Sequence, residues 1–176
     1  MLKQSLPAKF LTAIAAAAAL VCLSVAGAFC QDMREGEARV HNQQGMDFFR
    51  KGFYDHAPKN QAAEAERNYR LAVKELKAAI LKDSSYVDAH RNLARVYFVQ
   101  KNFVGAAEEY TRVAGLAPGD LDAYVNLALA LVELKRPGEA LQALEKAKGH
   151  TTDPKALEAL DSYIGKIRAC QEVEVR

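Results

Sequence analysis

Four histidines, three cysteines and 22 acidic residues are the side chains of this chain that could do chemistry. Their spacing decides which chemistry is open to them. Zinc hydrolysis would need two histidines one helical turn apart with a glutamate beside them. Acyl transfer would need a serine on a glycine-flanked turn, and phosphate binding a glycine-rich loop ahead of a helix. None of these patterns occurs, and no two cysteines stand close enough for a metal pair. His41 and His90 occupy equivalent places in two helical stretches and read as packing residues, while His56 and His150 fall in predicted loops. Asp88, Glu108, Glu109 and Asp122 read as helix caps and solvated faces. The sequence therefore predicts no catalytic residue, no metal ligand, no cofactor and no small-molecule substrate. What remains to be explained is a surface.

That surface is built by a repeat. Asp88, Ala89, Asn92, Leu93, Ala94 and Ala106 reappear at one constant offset as Asp122, Ala123, Asn126, Leu127, Ala128 and Ala140, and a period of this size signals stacked helical units. Followed backward, the register splits. Ala72, Leu76 and Ala79 stand one period before Ala106, Tyr110 and Val113, but His41, Gly45, Phe48, Tyr54 and Ala57 stand a longer interval before His90, Ala94, Tyr97, Phe103 and Ala106. A first unit is present with about 15 residues inserted between its halves, close to four helical turns, which keeps the buried stripe in phase.

Each half-unit reads as a helix. The first spans Gly36 to Lys51, with Val40, Gln44, Phe48 and Lys51 on one stripe. Pro58 disfavours helix at Ala57, so a loop is expected over Gly52 to Lys59, then a long helix from Gln61 to Lys82 with Asn60 as its cap. Ser85-Tyr86-Val87-Asp88 has the spacing of a capping box and should start a helix running to Gln100. Asn102 marks the next turn, and a helix follows from Phe103 to Leu116. Pro118-Gly119 breaks the chain, Asp120 caps Leu121 to Leu134, Pro137 suits the first turn of its partner, and Gly149 suits its end. Lys155 to Cys170 is a last amphipathic helix, with Leu157, Leu160, Ile164 and Ile167 on its apolar side. It has no partner after it, as expected of a unit that closes a stack to solvent. Small residues pair where helices must approach closely, Ala94 with Ala106 and Ala128 with Ala140.

In these residues the chain resembles the tetratricopeptide-repeat family: Leu93, Ala94, Tyr97, Phe103, Ala106, Tyr110 and Pro118 in the middle unit, and Leu127, Ala128, Ala140, Leu144 and Ala147 in the third. The family's aromatic at the fourth position is His41, His90 and Tyr124 here, and Ser84 replaces its closing proline in the first unit. The fold implied is an all-α solenoid of about three helical hairpins with a C-terminal capping helix, preceded by a signal peptide. The expected organisation is a signal peptide over 1–28, a flexible leader over 29–37, a first repeat with its insertion over 38–86, and a second over 87–120. A third repeat over 121–152, the capping helix over 153–170 and a frayed tail over 171–176 complete it.

The resemblance also implies where binding would occur. In such arrays the first helix of each repeat lines a concave groove that holds an extended peptide or a partner helix. Carried over, the groove comprises Asn42, Met46 and Phe49 from the first repeat, Arg91, Asn92, Arg95 and Phe98 from the second, and Val125, Asn126 and Leu129 from the third. That composition suggests a peptide with apolar anchors and a carboxylate placed near Arg91 and Arg95. The carboxylate clamp of the family's co-chaperones is not expected, because its five positions hold Asn42, Met46, Asn92, Asp122 and Asn126, of which only Asn92 matches.

The amino terminus reads as an export signal. Lys3 and Lys9 precede an apolar, alanine-rich run from Phe10 to Phe29, and Ala26-Gly27-Ala28 supplies a signal-peptidase pattern, which places cleavage after Ala28 and the protein in a periplasm. Two alternatives stay open: the run over 10–29 is long enough to anchor the chain in a membrane, and Cys30 stands where a lipid could be attached. Either would bring the folded part close to a membrane. Without Lys3 and Lys9 the chain carries 22 basic and 22 acidic residues, a balance that offers no bulk attraction to nucleic acid. Cys30 and Cys170 lie near opposite ends: an oxidising compartment permits a bridge between them, an elongated stack opposes it, and both the bridge and two unpaired or intermolecularly paired thiols stay open. The expected partner is a protein or peptide, with self-association through an end or the long first-repeat helix as a further option.

Overall fold

The computed structural model describes residues 8–59 and 61–174, with side chains over 26–59 and 61–171. Lys3, Lys9, most side chains of the apolar run and the expected cap Asn60 lie outside those residues. Among the described residues the chain is helical throughout, in the order α1 (Ala8–Arg50), α2 (Ala62–Lys82), α3 (Val87–Val99), α4 (Phe103–Leu116), α5 (Leu121–Glu133), α6 (Pro137–Lys148) and α7 (Pro154–Glu174). Each helix packs against the next, so that α1 with α2, α3 with α4 and α5 with α6 form three hairpins and α7 closes on α6. Contacts of α1 with α3 and of α5 with α7 place the odd-numbered helices in one row. This is the stacking logic of a solenoid, in which each unit touches only its neighbours.

The core is made largely of alanine. Ala72, Ala79, Ala89, Ala94, Ala106, Ala130, Ala140 and Ala147 have no exposed surface, so helix axes approach closely and Leu76, Leu93 and Leu144 are engulfed between them. Burying each of those leucines contributes roughly 1.5–3 kcal/mol. The first hairpin has no room for even a methyl group at its closest approach. Gly45 holds the place that Ala94 and Ala128 hold in the later hairpins, and a methyl group there would lie 2.7 Å from Leu76 Cγ.

A pair of histidine contacts recurs in the first two hairpins. His41 Nδ1 meets Glu75 Oε2 at 2.8 Å across 34 residues, and His90 Nδ1 meets Glu109 Oε2 at 2.6 Å across 19. The same inter-helix contact is made in both hairpins, and the difference of 15 in separation is the inserted length. The insertion lengthens both arms. Helix α2 buries Ala65 and Tyr69 ahead of the Ala72, Leu76 and Ala79 shared with the repeat pattern.

Several local expectations are corrected. The leader over 29–37 is helical, an unbroken part of α1, because Gln31, Met33, Arg34, Glu35 and Glu37 are good helix formers and Gly36 alone costs only about 1 kcal/mol. Val40, Gln44 and Lys51 are exposed, and α1 and the turn after it instead bury Ala38, Gly45 and Gly52, on the side where α2 packs. The loop expected over Gly52 to Lys59 is a wide π-helical turn, Lys51–His56, followed by a 3-10 turn, Ala57–Lys59. Gly52 permits this: any side chain there would press on the Tyr69 ring at 2.7 Å.

Helix α3 starts where expected but without its capping box. Tyr86 is the cap residue and makes no side-chain cap bond. The Ser85 amide and hydroxyl both donate to Asp83 Oδ1, at 2.9 and 2.7 Å. Ser85 sits one place too early to reach the helix amides, and Asp88 is held by Arg91. Asn102 and Asp120 do cap, accepting from the Gly105 and Ala123 amides at 3.1 and 3.2 Å. Gly149 stays right-handed at φ −68. The left-handed residues are Lys101 and Lys135, φ 60 and 59, at equivalent places in two hairpin turns. After each, an amide donates back across the helix end, Asn102 to the Tyr97 carbonyl at 2.8 Å and Arg136 to Leu131 at 2.9 Å, satisfying carbonyls the helix leaves open. The tail keeps helical form through Glu174.

Candidate functional site

The ten residues expected to line the groove lie on α1, α3 and α5, and the structure divides them by what they already hold. Arg91 is committed. Its Nε and Nη2 donate to Asp120 Oδ2 at 3.1 and 2.8 Å, and its Nη1 contacts Asp88. A guanidinium satisfied by two carboxylates has no fork left for an incoming one, which corrects the expectation that Arg91 and Arg95 together receive a carboxylate. Asp120 is the cause, because as cap of α5 it lies directly across from α3.

Asn42 and Asn92 are also occupied. The Asn92 amide, buried to 9 % exposure, donates to Asn42 Oδ1 at 2.9 Å, and the Asn42 amide reaches the Tyr86 hydroxyl at 3.4 Å. They tie α1 to α3. Asn126, at the same repeat position, turns back to the Asp122 carbonyl of its own helix at 2.8 Å. Phe49 packs on Phe53 and Tyr69, with ring centres 5.6 and 6.0 Å apart, and Phe98 meets Phe103 edge-on at 5.3 Å. Both rings brace hairpin ends while keeping part of their surface open. Met46 is half-buried.

Arg95, Val125 and Leu129 remain open toward the groove. Arg95 is exposed and forms no ion pair with any described residue. It stands one repeat before Leu129, at the matching place on the preceding inner helix. Val125 and Leu129 line an apolar pocket of about 260 Å³ between α5 and α7, together with Val132, Tyr163, Ile167 and the edge of Cys170. Leu129 and Tyr163 keep 41 % and 37 % of their surface exposed at its mouth. Lys166 lies over the Tyr163 ring at 5.5 Å and places a cation on the rim. An apolar hollow of this size with a cation at its edge fits one bulky aliphatic or aromatic side chain whose chain also carries an acid.

The α7 residues of this pocket escaped the sequence reading. The stripe from Leu157 to Ile167 identifies α7 as a cap, and Leu160 and Ile164 do bury, at 2 % and 4 % exposure. Tyr163 and Lys166 lie on the neighbouring face, and whether that face meets solvent or the groove depends on the angle at which α7 crosses α5. Cys30 and Cys170 are exposed, unpaired thiols. Among the described residues no group of three or more histidine, cysteine or acidic side chains is placed to hold a metal ion. Over the residues whose side chains are described, no helix is long and apolar enough to cross a membrane.

Three antiparallel hairpins in register, a closing helix and a groove along the first helices define a helical-repeat scaffold. Two tetratricopeptide-repeat models match, over residues 61–120 and 100–161. Together they cover more than half of the chain, which belongs to the tetratricopeptide-repeat family. Solved structures agree in fold. The TPR2B domain of yeast Sti1, in its pHsp70 complex, is 18 % identical with a TM-score of 0.57, covering 78 % of this chain and 98 % of that one. The TPR2AB domains of yeast Sti1, in a pHSP90 complex, are 19 % identical with a TM-score of 0.59, covering 92 % and 57 %. The TPR domain of Arabidopsis OM64 is 17 % identical with a TM-score of 0.54, covering 76 % and 98 %. No curated protein sequence matches the chain.

Proposed function

We propose that this chain is a non-catalytic interaction scaffold whose concave groove holds a peptide segment or partner helix. The observation that carries this reading is the apolar pocket between α5 and α7, opening onto the inner row beside exposed Leu129. A bulky side chain of the partner enters it, and an acid of the same segment pairs with Arg95 or Lys166. The yeast Sti1 domain in its pHsp70 complex supports the mode of binding only in outline, since this chain has Met46 and Asp122 where the carboxylate clamp has other residues.

The amino-terminal pattern supports an exported protein of bacterial type, working in cell-envelope, secretion or pilus assembly. The second reading is a structural subunit held in the membrane by an uncleaved 10–29 run, favoured by the unbroken passage of α1 into the first hairpin. The mass of the mature chain separates the two, because export with cleavage leaves Phe29 as the first residue.

The groove is tested by placing a photocrosslinking residue at Leu129 and, as a control, at Leu81, which is 85 % exposed on α2. A partner captured from intact envelope through position 129 and not 81 is expected. Leu129→Asp should weaken that capture at least about tenfold, and Arg95→Glu several-fold. Equal capture at both positions, or binding indifferent to Leu129→Asp, would rule the groove out.

A further inference from the structure

The outer face carries a second opening, a cleft of about 750 Å³ between α4 and α6 with α5 as its floor. It exists at this junction because the α4 wall is built of small residues. Ala107, Thr111, Ala114 and Gly115 stand where the preceding hairpin, one repeat earlier, has Val73, Lys77, Ile80 and Leu81. There Val73 and Ile80 pack into the core and Lys77 covers the Tyr97 ring at 5.8 Å. At the second junction that volume is missing, and the floor leucine Leu127 keeps 9 % exposure against 1 % for its counterpart Leu93. The rim carries two acids, Glu108 and Glu139, and three cations, Arg112, Arg136 and Lys146. Glu139 is spent on Arg136, which donates to it twice at 2.6 Å, while Arg112 and Lys146 are exposed farther along the helices and pair with no described acid.

A segment matching this cleft is present in the same chain. On α1, Phe29, Met33 and Val40 are 64 %, 55 % and 56 % exposed. Their spacing sets them on one stripe, opposite Ala38 and Gly45, which face α2. Beside the stripe stands Asp32, exposed and without an ion pair among the described residues. The stripe over 29–40 and the α4 wall over 104–115 are each about 16 Å long at a helical rise of about 1.5 Å per residue. Nothing in the described fold covers this side of α1, because its one hairpin partner, α2, packs on the other.

We propose that α1 of one copy docks in the α4–α6 cleft of a second copy, with Phe29, Met33 and Val40 against the leucine floor and Asp32 toward Arg112 and Lys146. Arm and cleft are different patches, so the contact either closes reciprocally about a twofold axis or continues from copy to copy. It lies on the outer face and leaves the concave groove free, so self-association and peptide capture are separable.

The test is the mass of the purified protein, carrying the amino terminus the cell leaves on it, by sedimentation equilibrium up to about 100 µM. A mass that rises above the monomer with concentration is expected. Met33→Glu and Arg112→Glu should each weaken association about tenfold or more, and Asp32→Lys several-fold. A mixture of Asp32→Lys with Arg112→Glu should associate more tightly than either alone, because the reversed charges meet. All three positions are exposed, so thermal melts by circular dichroism should show each variant folded. A wild type that stays monomeric overturns the proposal. So does loss with Met33→Glu but not Arg112→Glu, which would mean that two arms pair with each other. Association indifferent to all three variants, through another face, overturns it as well.

Discussion

His90 shows how one side chain can make this scaffold sensitive to pH. It is 3 % exposed, and its two ring nitrogens meet Glu109 Oε2 at 2.6 Å and the Ser84 carbonyl at 3.1 Å. Both neighbours accept, so both ring nitrogens are satisfied only when the ring carries two protons. The Glu109 carboxylate holds its pKa above the ordinary 6.5, against the opposing pull of burial and of the nearby Arg112 guanidinium. Asp83, in the connection before α3, is the other charge that feels it. A folded pKa raised above the unfolded one means that the native state binds the proton more tightly. The stabilisation is therefore complete below pH 6.5 and is lost as pH rises through the higher folded value. Urea midpoints measured upward from about pH 6 should fall over that span in the wild type and stay level in His90→Phe, which restores the aromatic that Tyr124 supplies in the third hairpin. Parallel profiles for the two proteins would show that His90 does not carry the effect. At this scale the sequence was informative about position and silent about partner. His41 and His90 are equivalent by register, but Glu75 and Glu109 look like solvated helix charges until the hairpins close.

Among the elements, α7 rests on few buried side chains for its length. It meets the stack through Leu160 and Ile164, and without it Leu144 and Ala147 would face water. Leu160→Ala should cost about 2–4 kcal/mol in the urea unfolding free energy, the range for a buried leucine whose cavity cannot fully collapse. Asp161→Ala, which removes the exposed Lys148 pair at 2.6 Å, should leave the midpoint where it is. If the two variants behaved alike, α7 would be a tethered helix and not a cap. The boundaries of α4, α5 and α6 follow from Asn102, Asp120 and Pro137, because caps act through neighbouring amides and are visible in the chain. The first hairpin was less legible. Pro58 suggests a loop from Gly52 onward, whereas in the structure Gly52 lies in a π-helical turn and gives the Tyr69 ring room. Lys101 and Lys135 gave no sign of a left-handed turn, since it is the closing of the hairpin and not the residue type that imposes φ 60 and 59 there.

For the molecule as a whole, Asp120 couples the second hairpin to the third. It caps α5 through the Ala123 amide and holds Arg91 of α3. Stability in a stack is the sum of units and interfaces, so Asp120→Ala should cost about 1–3 kcal/mol. Hydrogen exchange should then show α5 to α7 opening ahead of α1 to α4, with Asp120→Asn milder because the cap survives. A uniform loss of protection along the chain would mean that Asp120 acts only within α5. The sequence by itself determined the period, the hairpins, the inserted length and the closing helix, because these rest on spacing along the chain and on amides that nearby residues cap. It also pointed to the groove, by register. Only the tertiary structure decided which groove residues are available. Arg91, Asn42 and Asn92 are taken up by partners 29 to 50 residues away. The α5–α7 pocket and the α4–α6 cleft depend on how helices cross, which is set by side-chain volumes from several segments at once. Spacing is a property of one segment and can be read from it, but a cavity is the remainder left when three segments have packed.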